Sequence, residues 1–189
     1  MRITGGQARG IPLVLPKGDA VRPATDALRQ SVFSSIASYV PDACFLDLFA
    51  GSGAYGLEAL SRGARAGMFV EKNARTATFI HQNIAAVCKS LGRTADGLQV
   101  VTADATTTMP GETPDLVFVD PPYEIIPEVA PKIFARLAEL LAAKQEALVI
   151  FEMPGELELN PPGWISVKRL GKGARQPTAV IFRPAPASP

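Results

Sequence analysis

Hydrophobic and polar positions follow two patterns along most of the chain. Short continuous apolar runs, typical of strands buried on both faces of a sheet, alternate with longer segments that have apolar residues every three or four positions, typical of helices. The predicted strands cover residues 44–48, 66–70, 98–102, 115–120, 147–151, 164–170 and 178–182. The predicted helices between them cover residues 55–61, 74–89 and about 127–141, with Pro131 expected to delay or kink the last one.

This alternation predicts an α/β fold with a doubly wound, Rossmann-like sheet of seven strands, in which the last strand pair brings in an antiparallel strand. Residues 1–40 are expected to add a small β-hairpin, with strands near 2–4 and 11–15, and a helix capped by Asp26 that ends before Pro41. We predict one domain over residues 1–183 and a disordered tail over 184–189. In such folds the ligand crevice lies at the carboxyl ends of the strands.

Composition narrows the class of protein. No apolar run approaches the roughly 20 residues that cross a bilayer, and the N-terminus lacks the apolar core of a secretory signal, so we expect a cytoplasmic protein without membrane contact. Cys44 and Cys88 are expected to be reduced thiols, with a disulfide between them as the alternative. His81 is the one histidine, which excludes a histidine-rich metal site, and no metal is predicted.

Positive charge is concentrated at the two ends of the chain. Residues 1–30 contain five basic and two acidic side chains, and residues 159–189 contain five basic side chains and no acidic one. Scattered solvated charges are one interpretation, but several of these residues lie among glycines, whose low backbone lets a phosphate approach. The predicted nucleic-acid-binding residues are Arg2, Arg9, Arg22, Arg29, Lys172 and Arg175.

A glycine-rich turn follows the first predicted parallel strand. Residues 47–56, Asp-Leu-Phe-Ala-Gly-Ser-Gly-Ala-Tyr-Gly, contain the spacing G-x-G-x-x-G, and Glu71 lies twenty residues beyond Gly51. The spacing alone fits a nicotinamide-dinucleotide oxidoreductase. Asp47, however, suits a cationic ligand such as S-adenosylmethionine, because a pyrophosphate prefers bare backbone N–H groups. Glu71 can accept hydrogen bonds from the ribose of either cofactor, and Asp104 is placed to accept from an adenine amino group.

The segment Asp120-Pro121-Pro122-Tyr123 at the end of an apolar strand separates these alternatives. The two prolines fix an extended turn, so the Asp120 carboxylate and the Pro121 carbonyl are held side by side as acceptors. An exocyclic amino group offers two donors to such a pair, and Tyr123 offers a flat face for a flipped base. The segment therefore predicts methyl transfer to an exocyclic amine of a nucleic-acid base, with catalytic residues Asp120, Pro121 and Tyr123.

Together with residues 2–10 and 22–29, these motifs resemble the bacterial 16S ribosomal RNA guanine-N2 methyltransferase family of the RsmD type, over the chain to about Arg183. The resemblance implies an S-adenosylmethionine-dependent enzyme that methylates the 2-amino group of a guanine in ribosomal RNA or in the small ribosomal subunit. It implies that Arg22 lies over the cofactor. The residues that form the cofactor site would be Thr25, Asp47, Phe49, Gly51, Gly53, Glu71, Asp104 and Ala105. We expect a monomer.

Three residues depart from the family pattern: Ala24 stands where a threonine is common, Gln30 where an acid is usual, and Tyr55 where a small aliphatic residue is usual. Within methyltransferases, adenine-N6 methylation remains an alternative, since the same four residues serve any exocyclic amine. Outside them, an oxidoreductase leaves Asp47 and the Asp120 segment unexplained, and a non-catalytic RNA-binding assembly factor leaves the acidic crevice residues without a role.

Overall fold

The computed structural model describes residues 1–15, 25–108, 110–171, 173 and 176–186. The strands are β1 (Cys44–Leu48), β2 (Ala66–Glu71), β3 (Leu98–Thr102), β4 (Leu116–Val119), β5 (Leu148–Pro154), β6 (Trp164–Leu170) and β7 (Pro177–Pro184). The α-helices are α1 (Asp26–Ser35), α2 (Ala54–Ser61), α3 (Ala74–Leu91) and α4 (Ile126–Leu140), and short 3-10 turns cover Ala37–Tyr39 and Tyr123–Ile125.

The strands of the described residues form one sheet in the order β3-β2-β1-β4-β5-β7-β6. The first five strands pair in parallel, while β7 pairs antiparallel with both β5 and β6. Sheet order reverses between β1 and β4, which is the point where doubly wound folds open a ligand crevice. The predicted fold class is confirmed, including the antiparallel strand near the sheet edge.

Two hydrophobic cores lie on opposite faces of the sheet. Alternate residues of β1 divide between them: Phe45 packs with residues of α1, α2 and α3, whereas Leu46 and Leu48 pack with residues of α4. The central strand β4 is buried on both faces, which explains its continuous apolar sequence. Among the described helices, none combines the length and the apolar character that a bilayer span requires.

The N-terminal region differs in detail from its prediction. The predicted hairpin is present but short: Arg2 and Pro12 form an antiparallel bridge, and backbone hydrogen bonds join Ile3 to Ile11 (3.0 Å) and Leu13 to Met1 (3.2 Å). Thr25, rather than Asp26, caps α1 by accepting a hydrogen bond from the Leu28 amide (3.2 Å). The helix ends at Ser35, so the predicted continuation toward Pro41 is a separate 3-10 turn. Thr25 directly precedes the helix and so occupies the capping position that the prediction gave to its neighbour.

Two proline-containing segments also differ from expectation. Pro131 lies inside α4, which continues past it to Leu140. The residue is exposed and lies beyond the first helical turn, so it removes one backbone hydrogen bond, a cost that the packing of the apolar face of α4 offsets. At the C-terminus, β7 extends through Pro184, and the Ala185 amide donates to the Gly163 carbonyl (2.8 Å), so the first residues of the predicted tail are held by the sheet.

Candidate active site

Acidic side chains meet at the carboxyl ends of the central parallel strands. Asp47 is paired in register with Phe118 across β1 and β4. The pairing of β4 with β5 ends at Val119 and Phe151, so the next residues, Asp120 and Glu152, lie beside each other. Because side chains alternate along a strand, all three acids point to the sheet face that carries α2. We call Asp47, Asp120 and Glu152 the carboxyl row.

The glycine-rich turn between β1 and α2 has an unusual backbone. Phe49, Gly51 and Gly53 have positive φ angles of 60°, 55° and 78°. Gly53 precedes the first turn of α2, where a left-handed residue fits glycine. At Gly56 a Cβ would overlap the rings of Phe45 and Phe69, so glycine lets α2 lie directly on the sheet. The predicted glycine spacing thus serves both a tight turn and close helix packing.

Asp47 lies under this turn and is 2% exposed. Its Oδ2 accepts a hydrogen bond from the Gly56 amide (2.9 Å). Burial, with the nearby negative charge of Glu71, raises the pKa of Asp47 to about 8 from the ordinary value of 3.8. Asp47 therefore joins the turn to the start of α2, and a positive charge bound nearby would favour its ionised form.

Glu71, at the end of β2, braces the turn from the other side. Its Oε2 accepts from the Gly51 amide (2.9 Å) and its Oε1 from the Asn73 amide (2.8 Å). Each oxygen of a carboxylate has a second acceptor position, so Glu71 can also receive the two hydroxyls of a ribose. The Glu71 side chain is half-buried at the carboxyl end of β2.

Asp104 follows β3 and lies in a turn that it organises itself. Its Oδ1 accepts from the Thr106 amide (2.8 Å) and hydroxyl (2.6 Å), while Oδ2 lies 3.5 Å from Lys72 Nζ. These donors lower the pKa of Asp104, so the side chain is charged. Oδ2 is available to an amino donor such as that of adenine, and the neighbouring Ala105 is buried in the core on the α4 face.

The Asp120 segment leaves the sheet between β4 and α4. The Asp120 amide donates to the Leu48 carbonyl (3.4 Å), which fixes it against the end of β1. Pro121 is buried, Pro122 is exposed with an extended backbone, and Tyr123 is half-buried against the core on the α4 face. Burial of the carboxyl and the negative charges of Glu152 and Asp47 raise the pKa of Asp120 well above its ordinary value.

Two further residues of the site were not predicted. Tyr55 in α2 donates its hydroxyl hydrogen to Glu152 Oε2 (2.8 Å), and its ring stacks on Phe118. Both side chains are buried, and burial raises the pKa of Glu152 to about 7. A signal for Glu152 was present in the sequence, since it directly follows the apolar run 147–151 as Asp120 follows its own strand.

Three of the predicted nucleic-acid-binding residues, Arg2, Arg9 and Arg29, lie within the described part of the chain, and Arg9 lies apart from the contacting pair Arg2 and Arg29. The prediction that Arg29 binds nucleic acid is wrong. Its side chain is fully buried and bound to Glu58 (3.3 Å) and Asp26 (2.8 Å), so it does not present a charge to a phosphate. The chain from Met1 to Ala8 runs alongside α2, from Ser52 to Ser61. The exposed Arg9 therefore lies near the amino ends of the parallel strands, away from the site, whereas Arg2 lies near their carboxyl ends, toward the glycine-rich turn. Arg22, Lys172 and Arg175 lie outside the described residues, as does Ala24.

The strand order, the glycine-rich turn and the acids at the strand ends define the chain as a Rossmann-like fold of the methyltransferase type. It belongs to the RsmD family, whose model, described as "Conserved hypothetical protein 95", matches residues 1–180.

Individual relatives agree with this membership. Ribosomal RNA small subunit methyltransferase D of Escherichia coli strain K12 is 38% identical over 125 residues, which are 65% of this chain and only 60% of that protein. The protein of the same name from Haemophilus influenzae is 29% identical over 178 residues, covering 92% of this chain and 89% of that one. A solved Escherichia coli structure, provisionally named methyltransferase yhhF, has a TM-score of 0.77 at 31% identity and covers 98% of each chain.

Proposed function

We propose that this protein uses S-adenosylmethionine to methylate the 2-amino group of a guanine in ribosomal RNA of the small subunit. The observation that carries the proposal is the placement of Asp120-Pro121-Pro122-Tyr123 at the end of β4, next to the glycine-rich turn that follows β1. The names of the Escherichia coli and Haemophilus influenzae relatives support the small-subunit RNA as substrate.

Each polar part of the cofactor has a matching group in the site. Glu71 would hold the ribose hydroxyls, Asp104 with Ala105 would hold the adenine, and Asp47 with the turn at Phe49, Gly51 and Gly53 would hold the cationic methionine end. The raised pKa of the buried Asp47 supports this assignment, because such a carboxyl gains most from a neighbouring positive charge. When bound, the cofactor supplies an electrophilic methyl group. Thr25 and Arg22 would lie over it.

The target amine would be held by acceptors. The Asp120 carboxylate and the Pro121 carbonyl can receive the two hydrogens of the amino group, which orients the nitrogen lone pair toward the methyl carbon. Tyr123 would stack on the base. Guanine presents its N1–H beside the 2-amino group, whereas adenine presents an acceptor beside its 6-amino group, so an ionised carboxylate next to N1 would favour guanine over adenine.

The decisive experiment supplies labelled S-adenosylmethionine and small ribosomal subunits, or their free RNA, that lack the modification. We expect label in a single guanine, and nuclease digestion followed by mass spectrometry identifies the N2-methyl product. Label on the N6 of an adenine would mean that adenine, and not guanine, is the target base. The absence of any transfer to either RNA would contradict the proposal.

A further inference from the structure

Glu152 and Asp120 form a close pair of acids on the face of the sheet covered by α2. Their strands are paired in parallel up to Val119 and Phe151, so the two residues are lateral neighbours one position further on. Glu152 is 1% exposed, and its Oε2 receives the hydroxyl of Tyr55, itself 4% exposed (2.8 Å). Asp120 itself is half-buried. Two neighbouring carboxyl groups, one of them almost fully buried, do not readily carry two negative charges.

The groups around this pair decide where the charge lies. Tyr55 reaches Glu152 from α2, Asp47 faces Asp120 from β1, and Arg29 in α1 adds a favourable positive charge near Glu152. Arg29 itself is bound to Glu58 and Asp26. A hydroxyl donor and a nearby cation both favour ionised Glu152, and its negative charge then makes ionisation of Asp120 more difficult.

We propose that Glu152, held by the Tyr55 hydroxyl, is a positioning residue that controls the protonation of Asp120 and, through it, the pH dependence of methyl transfer. The kinetic half of this inference rests on the proposed function, because it takes ionised Asp120 as the acceptor of the amine. The protonation half concerns the free protein alone.

Carboxyl titration in the free protein tests the protonation half. In protein labelled with ¹³C at aspartate and glutamate carboxyls, the signal lost in Asp120→Asn is followed by NMR against pH. Glu152→Gln removes the neighbouring charge and retains an oxygen for the Tyr55 hydroxyl, so the Asp120 midpoint should fall by roughly one pH unit. Tyr55→Phe retains the stacked ring but removes the donor, which favours neutral Glu152, so the midpoint should fall in the same direction.

Matched controls remove the same groups elsewhere. Tyr39→Phe deletes the hydroxyl that accepts from Arg183 (3.1 Å), and Glu139→Gln neutralises an exposed acid of α4; neither should move the Asp120 midpoint. With methyl transfer as the readout, the acidic limb of the rate profile should shift to lower pH in both test variants. An Asp120 midpoint that stays in place in Glu152→Gln and Tyr55→Phe overturns the inference. Loss of transfer in the unaltered protein would count against the proposed function only, because the NMR titration decides the inference without it.

Discussion

At the scale of single residues, Asp120 has the most direct link to chemistry. Asp120→Asn retains the shape and one acceptor oxygen but removes the charge that would orient the amine. We expect turnover to fall roughly 10²–10⁴-fold, the range typical of groups that act on a proton in the transition state, with little change in affinity for S-adenosylmethionine. Single-turnover rates and calorimetry measure the two effects. Asp96→Asn, an exposed change before β3, is the control, and near-normal turnover in Asp120→Asn would remove this residue from the mechanism.

Asp47 makes the stability of the protein depend on pH. Its pKa is about 8 in the folded protein and near 3.8 when exposed, so between these values the folded state holds a proton that the unfolded chain has released. Stability is therefore greatest below about pH 4 for this group and is lost as pH rises toward 8. Glu152, with a folded pKa of about 7, acts in the same direction.

The corresponding variant is Asp47→Asn, which resembles the protonated acid and can still accept from the Gly56 amide. We expect the melting temperature of this variant to fall less steeply between pH 4 and pH 8 than that of the unaltered protein. Asp96→Asn again provides the comparison. Parallel melting curves for Asp47→Asn and the unaltered protein across that range would show that Asp47 is not protonated in the folded state.

Sequence patterns located the residues at strand ends but not the contacts between distant segments. Asp47, Glu71 and Asp120 could be found because each directly follows or ends an apolar run. The bond between Tyr55 and Glu152 joins residues 97 positions apart, and no local pattern encodes such a pairing. For the same reason Arg29 was predicted to be a surface charge, since its burial becomes visible only when α1 is packed on α2.

At the scale of elements, Arg29 holds three segments together. Its guanidinium binds Glu58 of α2 and Asp26 at the start of α1, and it donates to the Arg2 carbonyl in the N-terminal segment (2.6 Å). Arg29 and Glu58 are both 0% exposed. Removing one partner leaves a buried charge with fewer neighbours, a change that costs about 3–5 kcal/mol in buried ion pairs.

We therefore expect Arg29→Met to lower the free energy of unfolding by about that amount, as measured by urea denaturation. Arg62→Met is the matched control, because Arg62 also binds Glu58 (2.9 Å) but is 20% exposed, and its loss should be smaller. Combining Arg29→Met with Glu58→Gln should cost less than the sum of the two single changes. Equal losses at Arg29 and Arg62 would mean that burial of Arg29 adds nothing.

Helices and strands were predicted well where hydrophobic period decides the structure and less well where capping or single hydrogen bonds decide it. The long amphipathic helix α3 begins at Ala74, as predicted, behind the Asn73 cap, whose Oδ1 accepts from the Arg75 amide (2.9 Å). By contrast, Thr25 and Asp26 are both good capping residues, and their sequence does not say which one takes the position. Pro131 is tolerated because tertiary packing of the apolar face of α4 outweighs one missing hydrogen bond.

At the scale of the whole molecule, the described arginines of the N-terminal region, Arg2, Arg9 and Arg29, do not form one basic surface around the site. Within the described residues, the N-terminal segment runs along α2 from its start to its end. Arg2 therefore lies near the carboxyl ends of the parallel strands and Arg9 near their amino ends. Arg29 is withdrawn into the interior. An RNA that places its base beside Asp120 would approach the carboxyl ends of the strands, where Arg2 lies. Replacing Arg2 should therefore affect RNA binding more than replacing Arg9.

Arg2 and Arg9 thus form a matched pair for an RNA-binding experiment. The Arg2 side chain is 70% exposed, with Asp26 3.9 Å away, and replacing it by alanine should remove about one phosphate contact. Because each contact releases counterions, the plot of log affinity against log salt should flatten by roughly 0.7 for single-stranded RNA. Arg9→Ala removes the same charge near the amino ends of the strands and should leave both the RNA affinity and the salt slope near those of the unaltered protein. Cofactor affinity should be unchanged in both. If Arg9→Ala flattens the slope and Arg2→Ala does not, RNA approaches by the amino ends of the strands, and the target base cannot be delivered to Asp120 in the manner proposed.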